Sequence, residues 1–157
     1  MNKPDRAAIA RRIIDENLYM VLGTADGSGR PWATPVYFAS SGDREFFWVS
    51  SPHATHSRNI AVRAEVGIVI FDSRASIGAG QGVYMTAVAE EAAGPDVERG
   101  VGVFSRRSQQ HGGQPWTVDD VRREIRLYRA VASGHSMLAK DGRPDHRIPV
   151  EPGAAGR

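Results

Sequence analysis

The sequence predicts a mainly β protein whose strands form an antiparallel barrel with peripheral helices. The 157-residue chain has 17 Gly and 9 Pro, a frequency that indicates many turns and hence many short strands. Its apolar segments are short and end at turn residues, and hydrophobic residues make up 41% of the chain, enough for one sizeable core. We therefore expect one domain over residues 1–150 and a disordered C-terminal tail over residues 151–157.

The first part of the chain alternates apolar segments with turn sequences. Pro4 suits the first turn of a helix, and Ile9, Ile13 and Ile14 then fall on one face, so residues 4–17 are predicted to be helical. Short apolar segments follow, separated by glycine-containing turns. They predict three strands that form two successive hairpins, at residues 18–25, 31–39 and 45–50.

The middle of the chain begins with a change of character after Pro52. Residues 53–63 are predicted to form a short helix with Ile60 and Val62 facing inward. The next segments are predicted to be a buried strand, a glycine-rich loop and another strand, at residues 66–71, 76–82 and 83–89.

The last third of the chain is predicted to contain two helices and the closing strands. Thr117, with Asp120 three residues later, predicts an N-cap and its acidic partner at the start of a short helix. A final hairpin is expected to turn at Gly134. The bounds are a helix at 95–107, the capped helix up to 124, hairpin strands at 125–132 and 136–139, and an edge strand at 147–150. Together these elements favour a closed antiparallel barrel of about six or seven strands over a parallel sheet.

Composition excludes several functional classes. There is no cysteine, so the chain has no disulfide framework, thiolate metal site or cysteine nucleophile. The formal net charge is only +2 and basic residues are dispersed, so a nucleic-acid partner is not expected. The charged N-terminal segment does not resemble a signal peptide, and no apolar run approaches the ~20 residues that a membrane span needs. We expect a cytoplasmic protein with no membrane partner.

The first group of candidate functional residues lies where a predicted strand meets the helix at 53–63. The start of a helix offers free N–H groups and a positive dipole end, and hydroxyl, guanidinium and amide groups would complete a phosphate site there. The alternative is an ordinary surface helix capped by Thr55 or Ser57. The candidate ligand-binding residues are Val49, Ser50, Ser51, Ser57, Arg58 and Asn59.

The second group surrounds a proline in the middle of a predicted strand. Proline removes a hydrogen-bond donor from the sheet, so Pro35 belongs on an edge strand or at a bulge. Backbone groups at such a place are free to bond a planar ligand, although a simple edge strand protected by proline explains the same pattern. The candidate residues are Thr34, Pro35, Val36 and Tyr37.

The order of these segments resembles the pyridoxamine 5′-phosphate oxidase-like family of FMN-binding split barrels. The Thr-Pro-Val strand precedes an aromatic strand that ends in two serines, and Ser-Arg-Asn, a buried strand and Gln81-Gly82 follow. The similarity covers about residues 18–89 and continues more weakly to Arg147.

The resemblance implies a cofactor, an assembly and roles for individual residues. It places the FMN phosphate at Ser57, Arg58 and Asn59, and the flavin ring along 34–37 and 49–51. It implies a homodimer with two flavins at the interface, each reached by Gln81 of the other subunit. His135 takes a position where relatives often place an aromatic residue near the flavin.

The chain also departs from the true oxidase. It has Arg58-Asn59 where that enzyme usually has Arg-Lys, and it lacks the C-terminal arginine motif that grips the substrate. We therefore expect a flavin-dependent oxidoreductase that transfers hydride or electrons to or from another small molecule, with no identified catalytic side chain.

Two alternatives remain. One is a deazaflavin-dependent reductase of the same fold, whose cofactor has a longer anionic tail that would engage Arg63 or Arg74. The other is a non-enzymatic protein that binds flavin, haem or a tetrapyrrole, for which His53, His56 and His135 are candidate contacts. No carboxylate or cysteine lies at ligand spacing from these histidines, so no metal-ion site is predicted.

Overall fold

The structure, a computed structural model, describes residues 5–151. Pro4 and most of the predicted C-terminal tail (152–157) lie outside the described residues. The elements are α1 Arg6–Glu16, β1 Tyr19–Ala25, β2 Pro31–Tyr37, β3 Ala39–Ser41, β4 Glu45–Ser50, α2 Thr55–Val62, β5 Glu65–Phe71, β6 Gly82–Glu91, α3 Pro95–Gln110, a 3₁₀ helix Val118–Val121, β7 Arg126–Leu138 and β8 Arg147–Pro149.

The strands form one antiparallel sheet that curls into a half-barrel. The strand order is β2-β1-β5-β6-β7-β4-β3, and β8 adds to β7. The two outermost strands, β2 and β3, are separated along the chain only by Phe38, so the backbone itself joins the two edges of the sheet. The predicted mainly β antiparallel fold is confirmed, with a half-barrel in place of a fully closed ring.

The segment predicted as one strand at 31–39 is divided in two. Its first part, β2, pairs with β1, whereas β3 begins at Ala39 and pairs with β4 on the opposite edge. Phe38 between them is completely buried. An apolar alternating pattern records which side chains are buried, but not that the chain changes strand partner in its middle.

The predicted final hairpin is wrong, because β7 runs without a turn through Gly134. A register shift in the β6–β7 pairing lies between Thr86 and Ala87, so an extra residue is accommodated as a bulge. A Cβ on Gly134 would lie 3.2 Å from the Thr86 hydroxyl oxygen. This glycine therefore permits a close approach of two strands, where the sequence suggested a reversal of the chain.

Helices cover parts of the half-barrel, and its core is rich in aromatic residues. Ile14 of α1 and Ile60 of α2 pack into the same core cluster as Trp48 and Phe46. Val62, predicted to face inward with Ile60, is 69% exposed. Residues two apart on a helix point in nearly opposite directions, so both could not be buried together. The described part of the chain contains no helix long and apolar enough to cross a membrane.

The antiparallel pairing defines two ends of the half-barrel. The upper end, which carries α2, is formed by the strand termini Ala25, Pro31, Ser50, Glu65, Glu91 and Arg126. The lower end is formed by the opposite termini Tyr19, Tyr37, Phe71, Gly82 and Leu138.

Candidate functional site

The junction between β4 and α2 lies at the upper end and brings together several predicted residues. The Ser50 hydroxyl lies 2.7 Å from Nε2 of His56. The Ser51 hydroxyl accepts a hydrogen bond from the backbone N–H of His53 at 3.1 Å. Burial lowers the pKa of His56, so its imidazole is neutral near pH 7 and brings no charge to this junction.

The first turn of α2 has backbone donors that no side chain caps. The cap residue is Ala54, which has no side-chain hydrogen bond, so Thr55 and Ser57 are not the caps that the sequence suggested. Thr55, Arg58 and Val62 share the exposed face of the helix. Arg58 makes no side-chain hydrogen bond or ion pair within residues 5–151. Its guanidinium is therefore available to a ligand beside free N–H groups.

Ser57 and Asn59 are buried, unlike the arginine between them. The side-chain amide of Asn59 donates a hydrogen bond to the Thr24 hydroxyl at 3.0 Å, which ties α2 to β1. The Ser57 hydroxyl is buried and has no hydrogen-bond partner among the described residues. The three consecutive residues predicted to hold a phosphate thus point in different directions.

The β2 segment is an edge strand, as Pro35 suggested. It pairs only with β1, and Pro35 is exposed opposite Val21. Thr34 is half-buried and Val36 is buried in the core. The Tyr37 hydroxyl lies 2.9 Å from Nδ1 of His111, and burial raises the pKa of Tyr37, so this phenol stays protonated. These residues form an edge that nothing in the described chain covers with another strand.

Gln81 lies at the lower end, where its amide substitutes for a backbone pairing. Its oxygen accepts hydrogen bonds from Gly82 and from Leu138, both at the backbone N–H, and its nitrogen donates to the Leu138 carbonyl at 3.1 Å. His135 is also in the lower half, where Nε2 lies 2.6 Å from the Asp43 carbonyl. Because a carbonyl only accepts, Nε2 carries the proton and the buried Nδ1 is left unpaired.

The predicted contacts are therefore divided between the two ends of the half-barrel. Strand β6 separates them, with Gly82 at the lower end and Glu91 at the upper end. A strand of that length spans about 30 Å, since each residue rises about 3.3 Å. Gln81 and Arg58 of one protomer therefore lie toward opposite ends of the half-barrel.

Three polar side chains near the predicted positions carry features that sequence reasoning did not assign. The sequence suggests His56 only as a metal or haem contact, predicts a strand at Tyr128 and assigns no role to His111. His56 lies at hydrogen-bond distance from Ser50 of β4 and His111 from Tyr37 of β2, whereas Tyr128 of β7 lies beside Ser57 of α2. The spacing of His56 from Ser50 was visible in the sequence, but the other two pairs depend on long-range packing.

Comparison with known proteins identifies the family. The family model for pyridoxamine 5′-phosphate oxidase matches residues 8–132, most of the chain. The chain belongs to the pyridoxamine 5′-phosphate oxidase-like family. No curated protein matches the sequence significantly.

Solved structures of this pyridoxamine 5′-phosphate oxidase-like fold are similar at low identity. A haem-binding protein from Mycobacterium smegmatis has a TM-score of 0.74 at 21% identity, covering 95% of this chain and 60% of that one. The haem storage protein HutZ from Vibrio cholerae has a TM-score of 0.64 at 21% identity, covering 80% and 89%. ChuZ from Campylobacter jejuni has a TM-score of 0.71 at 15% identity, covering 94% and 61%. The chain is thus about three fifths as long as two of these proteins, and the similarity establishes the fold.

Proposed function

We propose that this protein binds FMN as a homodimer and transfers hydride or electrons between a donor, such as a nicotinamide cofactor, and a small molecule. The flavin ring would supply the redox chemistry, and the protein would supply binding, orientation and exclusion of water. The observation that carries the proposal is the uncapped start of α2, which lies beside the end of β4 and carries Arg58 free on its exposed face.

The residues present fit a phosphate at this place. The first N–H groups of α2 point outward from the helix start, and Arg58 adds a formal charge with two parallel donors. His56 is neutral because of burial, so Arg58 is the charged partner from this turn of the helix. The exposed edge of β2, which runs from the upper end at Pro31 to the lower end at Tyr37, offers backbone groups to a planar ring.

A second protomer is needed to complete the site as the family resemblance describes it. Gln81 lies at the lower end, far from Arg58, so both reach one flavin only if they come from different subunits. In the dimer, the exposed β2 edge and the outer face of the sheet would be covered by the partner.

A spectrum after reconstitution tests the cofactor directly. We expect the purified protein to bind FMN saturably, with a flavin absorption spectrum and one FMN per protomer. Deazaflavin is the matched comparison, and its longer anionic tail would have to engage Arg63 or Arg74. Arg63 already donates hydrogen bonds to the Asp26 and Gly27 carbonyls, and Arg74 is paired with Asp72. We therefore expect FMN to bind more tightly. The absence of saturable FMN binding contradicts the proposal.

Reduction of the bound flavin tests the activity. Under anaerobic conditions, NADH or NADPH should bleach the flavin band, and an added electron acceptor should restore it. Pyridoxamine 5′-phosphate should give no turnover, because the chain lacks the substrate-gripping arginine motif. Bound FMN that no nicotinamide reduces would exclude a nicotinamide as the donor, and bound FMN that no biological donor reduces would contradict the oxidoreductase assignment.

Haem binding is the second candidate, favoured by the names of two structural neighbours and by one free histidine. His53 is exposed and its imidazole makes no hydrogen bond within residues 5–151. In contrast, His56 is bonded to Ser50, and the free nitrogen of His135 is buried. If haem binds through a histidine, His53→Ala should remove the shift of the Soret band, whereas His135→Gln should retain it. If both variants retain the shifted Soret band, ligation of haem by His53 is contradicted.

A further inference from the structure

A cavity of about 430 Å³ opens on the side of α2 that faces away from Arg58. The helix contributes Ser57, Ile60 and Ala61, which recur at the spacing of one helix face. The rest of the wall comes from the β4–α2 loop, the residue after the helix, β6 and β7: Pro52, Ala64, Val88, Ala89, Glu90, Glu91 and Tyr128. Its size is that of a small-molecule pocket, and its wall is mostly apolar.

Two hydroxyl groups lie beside each other at this cavity. Ser57 is 3% exposed, and its oxygen has no partner of good hydrogen-bond geometry among the described residues. Burial raises the pKa of Tyr128, and the neighbouring Ser57 hydroxyl opposes this rise. A buried hydroxyl without a well-formed hydrogen bond is costly, so a polar ligand group at this place would be stabilised.

Two carboxylates, each paired with an arginine, complete the lining. Glu91 lies directly opposite Tyr128 in the β6–β7 pairing, and Glu90 is its neighbour. Each is bonded through one oxygen to an arginine that does not line the cavity, Glu91 to Arg126 at 3.2 Å and Glu90 to Arg129 at 3.5 Å. The second oxygen of each carboxylate makes no hydrogen bond within residues 5–151.

We propose that this cavity is a second binding site, which takes a small organic amine with an apolar body. The protonated amino group would donate hydrogen bonds to the Ser57 and Tyr128 oxygens and face the free carboxylate oxygen of Glu91. Ile60 and Ala61 would contact the apolar part. An anion is disfavoured here, so the site is chemically the opposite of a phosphate site and independent of the proposed flavin site.

Three probes of the same size test the chemistry of the ligand. We expect saturable binding of 2-phenylethylamine by calorimetry, weaker binding of 2-phenylethanol and none of phenylacetate. Glu90→Gln combined with Glu91→Gln should reduce the preference for the amine over the alcohol by about tenfold, the factor that corresponds to about 1.4 kcal/mol. Equal binding of amine and carboxylate, or no saturable binding of the amine, overturns the proposal.

A matched pair of helix variants tests the location. Ala61→Phe places a ring in the cavity from an exposed position, so the fold should tolerate it, and amine affinity should fall at least about tenfold. Val62→Phe, the next residue on the exposed face, should leave amine binding unchanged. FMN titration of both variants separates the two sites, since neither residue belongs to the proposed flavin site. Unchanged amine binding in Ala61→Phe overturns the location.

Discussion

Ser57, Arg58 and Asn59 are consecutive in the sequence but have three different surroundings. Arg58 is exposed, Asn59 bonds Thr24 in the core, and Ser57 lines a cavity on the far side of the helix. Each step along a helix rotates the side chain by about 100°, so neighbours in sequence diverge in space. The sequence predicted the residue types and the helix, but side-chain direction depended on packing that α2 makes with β1 and β6.

Arg58→Ala should weaken FMN binding far more than riboflavin binding. Loss of a charge-assisted hydrogen bond costs roughly 1.5–3 kcal/mol, which is about 10- to 100-fold in the dissociation constant. Riboflavin has no phosphate, so its affinity should hardly change. The measurement is fluorescence quenching or calorimetry with both ligands.

Two substitutions control the Arg58 experiment. Arg58→Lys should fall between wild type and alanine, because lysine retains the charge without the two parallel donors. Arg106→Ala removes another exposed arginine from α3 and should affect neither ligand. Equal losses for FMN and riboflavin in Arg58→Ala would mean that the ring site, and not a phosphate contact, was disturbed.

His56 should make the folded state less stable in mild acid. Burial lowers its pKa in the folded protein, so below about 6.5 the unfolded chain binds a proton that the folded protein resists. The stability that neutral His56 contributes is therefore present above the pKa of His56 in the unfolded chain. It is lost as the pH falls from that value toward the lower pKa in the folded protein. His56→Gln should show a shallower fall in Tm between about pH 7.5 and 5.5 than wild type.

The pH slope of Tm, and not its absolute value, is the diagnostic quantity for His56. The substitution also removes the bond to Ser50, which lowers Tm at every pH. The exposed His53→Gln variant should retain the wild-type slope. An unchanged slope in His56→Gln would show that its burial does not control the acid response.

At the scale of elements, sequence patterns located the strands better than their connections. The predicted strand at 45–50 coincides with β4, and the capping box of Thr117 and Asp120 is present as expected. The predictions were wrong at two places. At Phe38 the chain changes its strand partner, and near Gly134 it forms a bulge and not a turn. Both features depend on pairing with strands distant in sequence, which local periodicity does not encode.

Two glycines in α3 should respond in opposite ways to alanine. A Cβ on Gly100 would lie 2.6 Å from the Phe47 ring and 2.8 Å from Leu127, both buried, so Gly100→Ala should destabilise the protein by about 1–3 kcal/mol. A Cβ on Gly102 would meet only the end of the Arg106 side chain at 3.8 Å. Gly102→Ala should therefore stabilise by about 0.5–1 kcal/mol through helix propensity.

Chemical denaturation at constant pH measures this difference in the free energy of unfolding. The two variants carry the same substitution in the same helix, so propensity cancels between them. Similar changes in both would mean that α3 does not pack closely against β4 and β7 through Gly100.

At the scale of the molecule, the outer face of the sheet carries a row of small residues. A cross-strand row runs over β2, β1, β5, β6 and β7, and its members are Ala33, Gly23, Gly67, Thr86 and Gly134. Exposed apolar side chains lie elsewhere on this face, including Phe71 and Val88. The sequence showed the glycines separately, but their alignment requires the strand order, which only the structure provides.

Gly67→Arg should disrupt the proposed homodimer without unfolding the protomer. A Cβ at Gly67 would have no neighbour within 4 Å, and the residue is exposed in the middle of this row of small residues. A long charged side chain there would block face-to-face packing of two sheets. Formation of the dimer would also have to bury its charge, which costs free energy. We expect light scattering to report a dimer for wild type and a monomer for Gly67→Arg. FMN affinity should fall with the dimer, because the proposed site draws on Gln81 of the second subunit.

Gly27→Arg is the matched control, since Gly27 is exposed at the β1–β2 turn and a Cβ there also has no neighbour within 4 Å. It should retain both the dimer and FMN binding. Strand interiors favour most residues over glycine, and Gly27 does not have a positive φ, so neither substitution should lower the Tm of an isolated protomer. A wild-type monomer with full FMN occupancy would refute the shared site. A Gly67→Arg dimer with normal FMN affinity would instead exclude this face of the sheet as the interface.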